Sequence, residues 1–568
     1  MTDEMPDVMP DEPLIRLDRR HVWNFWRIQE ELNEDLAYER KLTCYWNRID
    51  QVPHPDILPL LHEAGFGYVS MIIQGAKLNP SLISALVERW RPETHTFHLP
   101  YGEAIITLED VAYQLGLPVE GHAITGKAED NWFLLGRELL GVDPVDLDGG
   151  RVLITGLDEH FSDLPNNASM QLKEQFARAH ILRVIGGILM PDKSRNKFHL
   201  MWLRHLWVLS DAGKFSWGSA VLAFLFRELC KATDPSKHVI GGCLLLLQSW
   251  AWFRMPFIRP TLHQPTSYIF PLILRWTGPL SSVGLPDCQR DFQLLIDKND
   301  EFVWTPYAVP KILNCVPPQI FQGAQVWMSK VPLINYAVIE WHPVDRVLRQ
   351  FNCVQPIPPQ SQNLDSLHRL TRQGKTNVNW RSHHSTWIMQ WADRYSRHPV
   401  CQPIETYSVT YDYFDWYVAN GKPHILTPAE RQRVLHARPQ NRPPTRRAHP
   451  AAPGDDEETT QGRHPAHHLN HNLLYADLWD PHSNTITTPT VVCDGFQFPA
   501  RRSYTTTSLL YTGGPTGIGA GSSQARRTAT PDDDETDEST EEEELVPRRN
   551  PYRNRHPPGC GTGGHRHH

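Results

Sequence analysis

Three side chains with metal-binding chemistry stand close together at Glu93, His95 and His98. A carboxylate and two imidazoles suit a divalent ion only if they meet on one side of the chain. The surrounding text, THTFHL, is β-prone, and in an extended strand residues three apart point to opposite faces. The trio therefore reads as hairpin structure rather than as a ligand set. HEAGF at 62–66 lacks the second histidine of a zinc protease motif, and His383-His384 has no nearby partners. No phosphate-cradling GxxxxGK[ST] occurs, and GIGAG at 517–521 has Ser522 where a dinucleotide loop needs glycine. A nucleophile and its base would be paired only in space, so none is assigned.

The best nucleic-acid candidate is a basic stretch: Arg346 and Arg349, then Arg369, Arg372, Lys375 and Arg381, interleaved with Trp380 and Trp387. Cations grip phosphates and indoles stack on bases, so the mixture suits a nucleic-acid strand; a solvated basic surface is the plainer reading. The chain as a whole carries net charge -8 with a pI near 6.4, which gives no general attraction for a polyanion.

These residues need a scaffold, and the composition supplies one. The 568 residues are 40% hydrophobic with 19 Trp, enough for a large core, while 48 Pro and 35 Gly imply many loops. Nine scattered cysteines without a CxxC pair predict reduced thiols in the cytosol or nucleus. The acidic start MTDEMPDVMPDEP is no signal peptide. The uncharged run Val239–Phe253 is fifteen residues long, short of the roughly twenty that a membrane span requires, so it reads as a buried helix.

Three helices fit the apolar centre, at about 198–209, 219–230 and 239–253. Upstream, Asn79-Pro80 opens a helix that ends before Pro92, and residues 94–107 form a β-hairpin around Pro-Tyr-Gly-Glu. Thr107 and Asp110 make a capping box for a helix that Gly116 stops. Further helices are expected at 132–140, 169–190, 343–351, 385–395 and 411–417, the one at 343–351 amphipathic with Asp345 and Arg349 on its outer face. The expected organisation is an N-terminal arm (1–54), one mainly α-helical domain with a small β-hairpin (55–430), and a low-complexity disordered tail (431–568).

Several long phrases carry a family resemblance: ALVERWRPETHTFHLPYGEAIITLEDVAYQLGLPVEG (85–121), IGGILMPDKS (185–194), SWGSAVLAFLFRELCKA (216–232), LLLLQSWAWFRMP (244–256) and VIEWHPVDRVLRQF (338–351). Together they closely resemble the plant mobile domain, the MAIN-like family also labelled aminotransferase-like, over about 55–430. The resemblance implies a nuclear plant protein of a family linked to transposable elements, with members in transposon silencing, genome integrity and meristem maintenance. It also implies nuclear protein partners, a metallophosphatase-like protein among them. The chain has neither GDxHG nor GNHE, so no phosphatase chemistry carries over, and no lysine has a recognisable cofactor context. The expectation is a non-enzymatic interaction module with no catalytic, cofactor-binding or metal-ligating residue assigned. The alternative is a transposon-encoded accessory domain that handles DNA through the basic stretch.

Overall fold

The computed structural model describes residues 40–425, apart from residues 48, 50, 74–76, 128–130, 143–149, 192–196, 264–267, 300, 372–377, 404–408 and 423. Most of the expected arm (1–54) and all of the expected tail (431–568) lie outside the described residues. Helices dominate, with only small sheets of two or three strands among them. No helix among the described residues is long and apolar enough to cross a membrane.

Local signals decide the first half. The Asn79 side chain accepts hydrogen bonds from the backbone N–H of Ser81 and Leu82, at 3.0 and 3.1 Å, and opens the helix Pro80–Arg89. That helix runs straight into the strand Trp90–Arg91. A three-stranded antiparallel sheet follows, with Trp90 opposite Phe97 and Leu99 opposite Gly102. His95 turns the chain between the first two strands in the left-handed region, at φ 56°. Thr107 and Asp110 then close the expected capping box on the helix Leu108–Leu115, which stops at Gly116 with φ 65°.

At the centre lie the helices Trp217–Ala232 and Leu244–Arg254. All eleven residues of the second are buried, as a helix apolar on every side must be in water. The first packs across the antiparallel hairpin of Pro332–Asn335 and Val338–Trp341. Trp202, Trp217, Trp250 and Trp252 are buried in this core, while Trp207 is exposed.

Other expectations need correction. Residues 198–209 are not one helix: Lys197–His199 is extended and pairs with Arg151–Leu153, and a tight 3-10 segment follows at Leu200–Leu206. There the His199 ring accepts from the Met201 N–H at 3.0 Å and caps the tighter turn. Val239–Ile240 is a strand, parallel to Thr43–Cys44, and Gly242 at φ 85° separates it from the helix beginning at Leu244. The segment 344–351 is two short 3-10 turns divided at Val347, φ -134°, so an α-helical stripe never forms and Arg349 turns inward. Cys353 and Cys401 form a disulfide with Cα atoms 5.5 Å apart. Their separation of 48 residues hid that pairing from the spacing.

Candidate functional site

Glu340 sits in the strand Val338–Trp341 between Ile339 and Trp341, all three buried. A carboxylate there must be compensated. Arg227, from the central helix, supplies the charge: its Nε donates to Oε1 and its Nη2 to the Ile339 carbonyl at 3.1 Å. Oε2 lies 2.7 Å from Nε2 of His95 and 3.0 Å from Nε2 of His368. Burial opposes ionisation of Glu340, but the Arg227 charge and the hydrogen bonds from His368 and His95 outweigh it and hold the carboxyl well below its ordinary range.

Cys230 joins the group from one helical turn beyond Arg227. Its sulfur accepts from the indole Nε1–H of Trp90 at 3.2 Å. Burial, reinforced by the Glu340 charge, pushes this thiol well above its ordinary value, so it is protonated as it stands. One donor atom each from His95, Cys230, Glu340 and His368 lies within 4.8 Å of all the others. His95 comes from the sheet turn, Cys230 from the central helix, Glu340 from the hairpin, and His368 from the short helix Asp365–His368. Beside them an open-sided recess is lined by Thr94, His95, Trp341, Pro343, Asp345 and Arg346 among others.

The residues singled out from sequence are dispersed. Glu93 pairs with the Lys422 ammonium at 2.6 Å. His98 receives the Lys422 backbone N–H on Nδ1 at 2.9 Å and faces Glu103, and burial holds it neutral. Only His95 of that trio reaches the cluster. In the basic stretch, Arg346 is buried in a two-pronged pair with Glu103, and Arg349 is buried with its guanidinium 3.9 Å above the Trp304 ring. These two face protein rather than a phosphate. Arg369 and Arg381 are exposed, whereas Arg372 and Lys375 lie outside the described residues. Cys230, Glu340 and His368 were missed because more than a hundred residues separate the first two. The one local signal was an acid in an otherwise apolar strand.

Residues 65–418 match the sequence profile of the plant mobile domain, and the chain belongs to that family. It is 37% identical to the serine/threonine-protein phosphatase 7 long form homolog of Arabidopsis thaliana, over 70% of this chain and 31% of that protein. Over 53% of its length it is 37% identical to the Arabidopsis protein MAINTENANCE OF MERISTEMS, covering 63% of it. The Arabidopsis protein MAIN-LIKE 1 is 34% identical over 68% of this chain and 74% of its own. The chain thus spans about a third of the first of these relatives and just under two thirds of the second. No solved structure matches it.

Proposed function

We propose that this chain is a non-enzymatic nuclear interaction module of the MAIN-like type, acting with protein partners in transposon silencing, genome integrity and meristem maintenance. The observation that carries this reading is the way the domain recurs. Matching sequence fills 31% of a relative named as a phosphatase and 74% of one named MAIN-LIKE 1. A unit shared by chains of such different make-up suits a docking role that several assemblies can use. The buried charges agree with that role: Arg227 with Glu340, Arg254 with Asp110 and Arg346 with Glu103 are paired inside and brace the fold. The phosphatase name of one relative makes a metallophosphatase-like protein a natural partner to seek.

The test is affinity purification of the full chain from plant nuclei, with and without nuclease. Protein partners that survive nuclease support the module. Partners that vanish with nuclease, together with salt-dependent DNA binding lost on changing Arg369 and Arg381, favour the DNA-handling alternative. A tagged chain excluded from nuclei would overturn the nuclear reading.

A further inference from the structure

We propose that His95, Cys230, Glu340 and His368 form a structural site for one divalent metal ion of the zinc class. Two imidazole nitrogens, one thiol sulfur and one carboxylate oxygen, brought from four separate chain segments, converge within 4.8 Å. Zinc takes four such ligands at about 2.0–2.3 Å in a tetrahedron, which sets neighbouring donor atoms roughly 3.3–3.8 Å apart. The two imidazole-to-Oε2 distances of 2.7 and 3.0 Å sit just inside that spacing. Side-chain adjustments of about 1 Å would seat an ion. A mixed nitrogen, sulfur and oxygen set suits zinc better than magnesium or calcium, which prefer oxygen alone.

The surroundings are those of an outer ligand shell. Arg227 occupies Oε1 of Glu340 and leaves Oε2 as the single ligating oxygen. The Trp90 indole N–H already points at the Cys230 sulfur, where it would stabilise a metal-bound thiolate. His95 adopts the left-handed backbone region, uncommon for a residue with a side chain, at the turn that delivers its ring. His368 keeps a side-chain exposure of 20% against 2% for His95 and 0% for Glu340, so the ion would arrive past His368. On binding, the Cys230 thiol releases its proton to solvent and both imidazoles carry theirs on Nδ1, freeing the Nε2 lone pairs. No redox change occurs. Four protein ligands close the coordination sphere, which defines a structural rather than a catalytic site and pins the sheet turn, the central helix, the hairpin and the 365–368 helix together.

The chain also carries histidines at 464, 467, 468, 471, 565, 567 and 568 that will take up zinc loosely, so the test must report on sulfur ligation. The full chain, purified under reducing conditions and stripped with chelator, is titrated with Co2+ alone and then with Zn2+. Expected are tetrahedral cobalt bands with a thiolate-to-cobalt charge-transfer band, displaced by about one equivalent of zinc. The charge-transfer band disappears in Cys230→Ser. In His368→Gln, at a partly exposed position that leaves the core packing in place, zinc affinity falls about tenfold or more. Cys315→Ser, a control thiol, changes neither. Zinc should also raise the melting temperature of the stripped chain and leave that of Cys230→Ser unmoved. A wild-type spectrum without the charge-transfer band overturns the proposal, as does zinc binding equal in the wild type and both site variants.

Discussion

Arg346 and Glu103 meet as a two-pronged pair across 243 residues of sequence, Nε to Oε2 at 2.5 Å and Nη2 to Oε1 at 2.7 Å. Both side chains are almost fully removed from water, at 7% and 1% exposure. Arg346 also donates to the Pro359 carbonyl and the Ser361 hydroxyl, so it ties the sheet to the segment after the hairpin. Removing one partner strands the other charge in the interior. Arg346→Ala is expected to cost about 3–5 kcal/mol of stability, and Glu103→Ala a similar amount. Urea unfolding of the two single variants and the double variant checks this: the double should lose much less than the sum. Additive losses would mean that the two groups do not act as a pair. The same result bears on nucleic acid, since any loss of DNA affinity in Arg346→Ala would accompany loss of fold, whereas Arg369→Ala and Arg381→Ala leave the interior untouched.

Asp110 links a local signal to the core. Its Oδ2 takes the Thr107 N–H at 2.7 Å in the capping box, while Oδ1 accepts from Arg254 at 2.8 Å and from the Tyr307 hydroxyl at 2.7 Å. Arg254 and Asp110 are both fully buried. Asp110→Ala removes the cap and leaves the Arg254 charge without its carboxylate, so a loss above the ~1 kcal/mol of a simple cap is expected, about 3–5 kcal/mol. Thr107→Ala, which removes only the hydroxyl half of the box, should cost about 1 kcal/mol. Comparable losses in the two variants would show that the buried pair adds little.

The sequence was readable wherever one short stretch settled its own structure. Asn79 with Pro80, Thr107 with Asp110, and the turn chemistry between Leu99 and Gly102 are each complete within a few residues, and each stands as expected. Periodicity misled where a competing local hydrogen bond or a break decided the outcome, as at His199, Gly242 and Val347. The stripe Val344, Val347, Leu348 and Phe351 did identify buried residues, but helical spacing alone could not reveal that the backbone divides into two turns. Charge was the hardest to place. Arg346 and Arg349 read as a basic surface because their partners, Glu103 and the Trp304 ring, are distant in sequence. The His95 cluster was invisible for the same reason, because its four donors come from segments that only the packing of the central helix on the hairpin brings together.

Buried histidines make the fold sensitive to acid, His180, His205 and His342 among them. Burial lowers His180 to about 3, with Arg183 adding to it. Burial likewise lowers His205 and His342 to about 4, against opposing hydrogen bonds to the Thr125 and Ser329 carbonyls and against Asp110 at His342. His342 donates from Nδ1 to Ser329 and accepts the Leu108 N–H on Nε2, an arrangement that exists only for the neutral ring. Because these pKa values lie below that of an unfolded histidine, the unfolded chain binds protons first. Stability is therefore full above about pH 6.5, declines as the pH falls, and stops declining from this source below about pH 3 to 4. At pH 5 each histidine should account for about 2 kcal/mol, a large share of a typical fold's margin. Urea unfolding at pH 7 and pH 5 measures the effect, and His342→Gln, which never takes up the proton, should reduce the loss by about 2 kcal/mol. Equal midpoints at the two pH values would refute the assignment.

The Cys353–Cys401 disulfide makes a prediction that depends on the redox state of the chain. It fastens the 396–403 segment to the body of the domain, beside backbone hydrogen bonds from Lys330 to Arg397 at 2.8 Å and from Val354 to Gln402 at 2.9 Å. Closing a loop of 48 residues removes denatured-state entropy equivalent to about 4 kcal/mol in the chain-entropy account. Cys401 is the safer position to change, since it is half-buried while Cys353 is wholly buried. Without reductant, Cys401→Ser should unfold at lower denaturant than the wild type, by up to about 4 kcal/mol. In a fully reducing buffer, the two should converge. A non-reducing peptide map of the wild type should contain the Cys353–Cys401 cross-link, and its absence after oxidation would sink the prediction. A wild type that keeps its advantage under full reduction would instead locate the effect in the packing of the Cys401 side chain rather than in the bond.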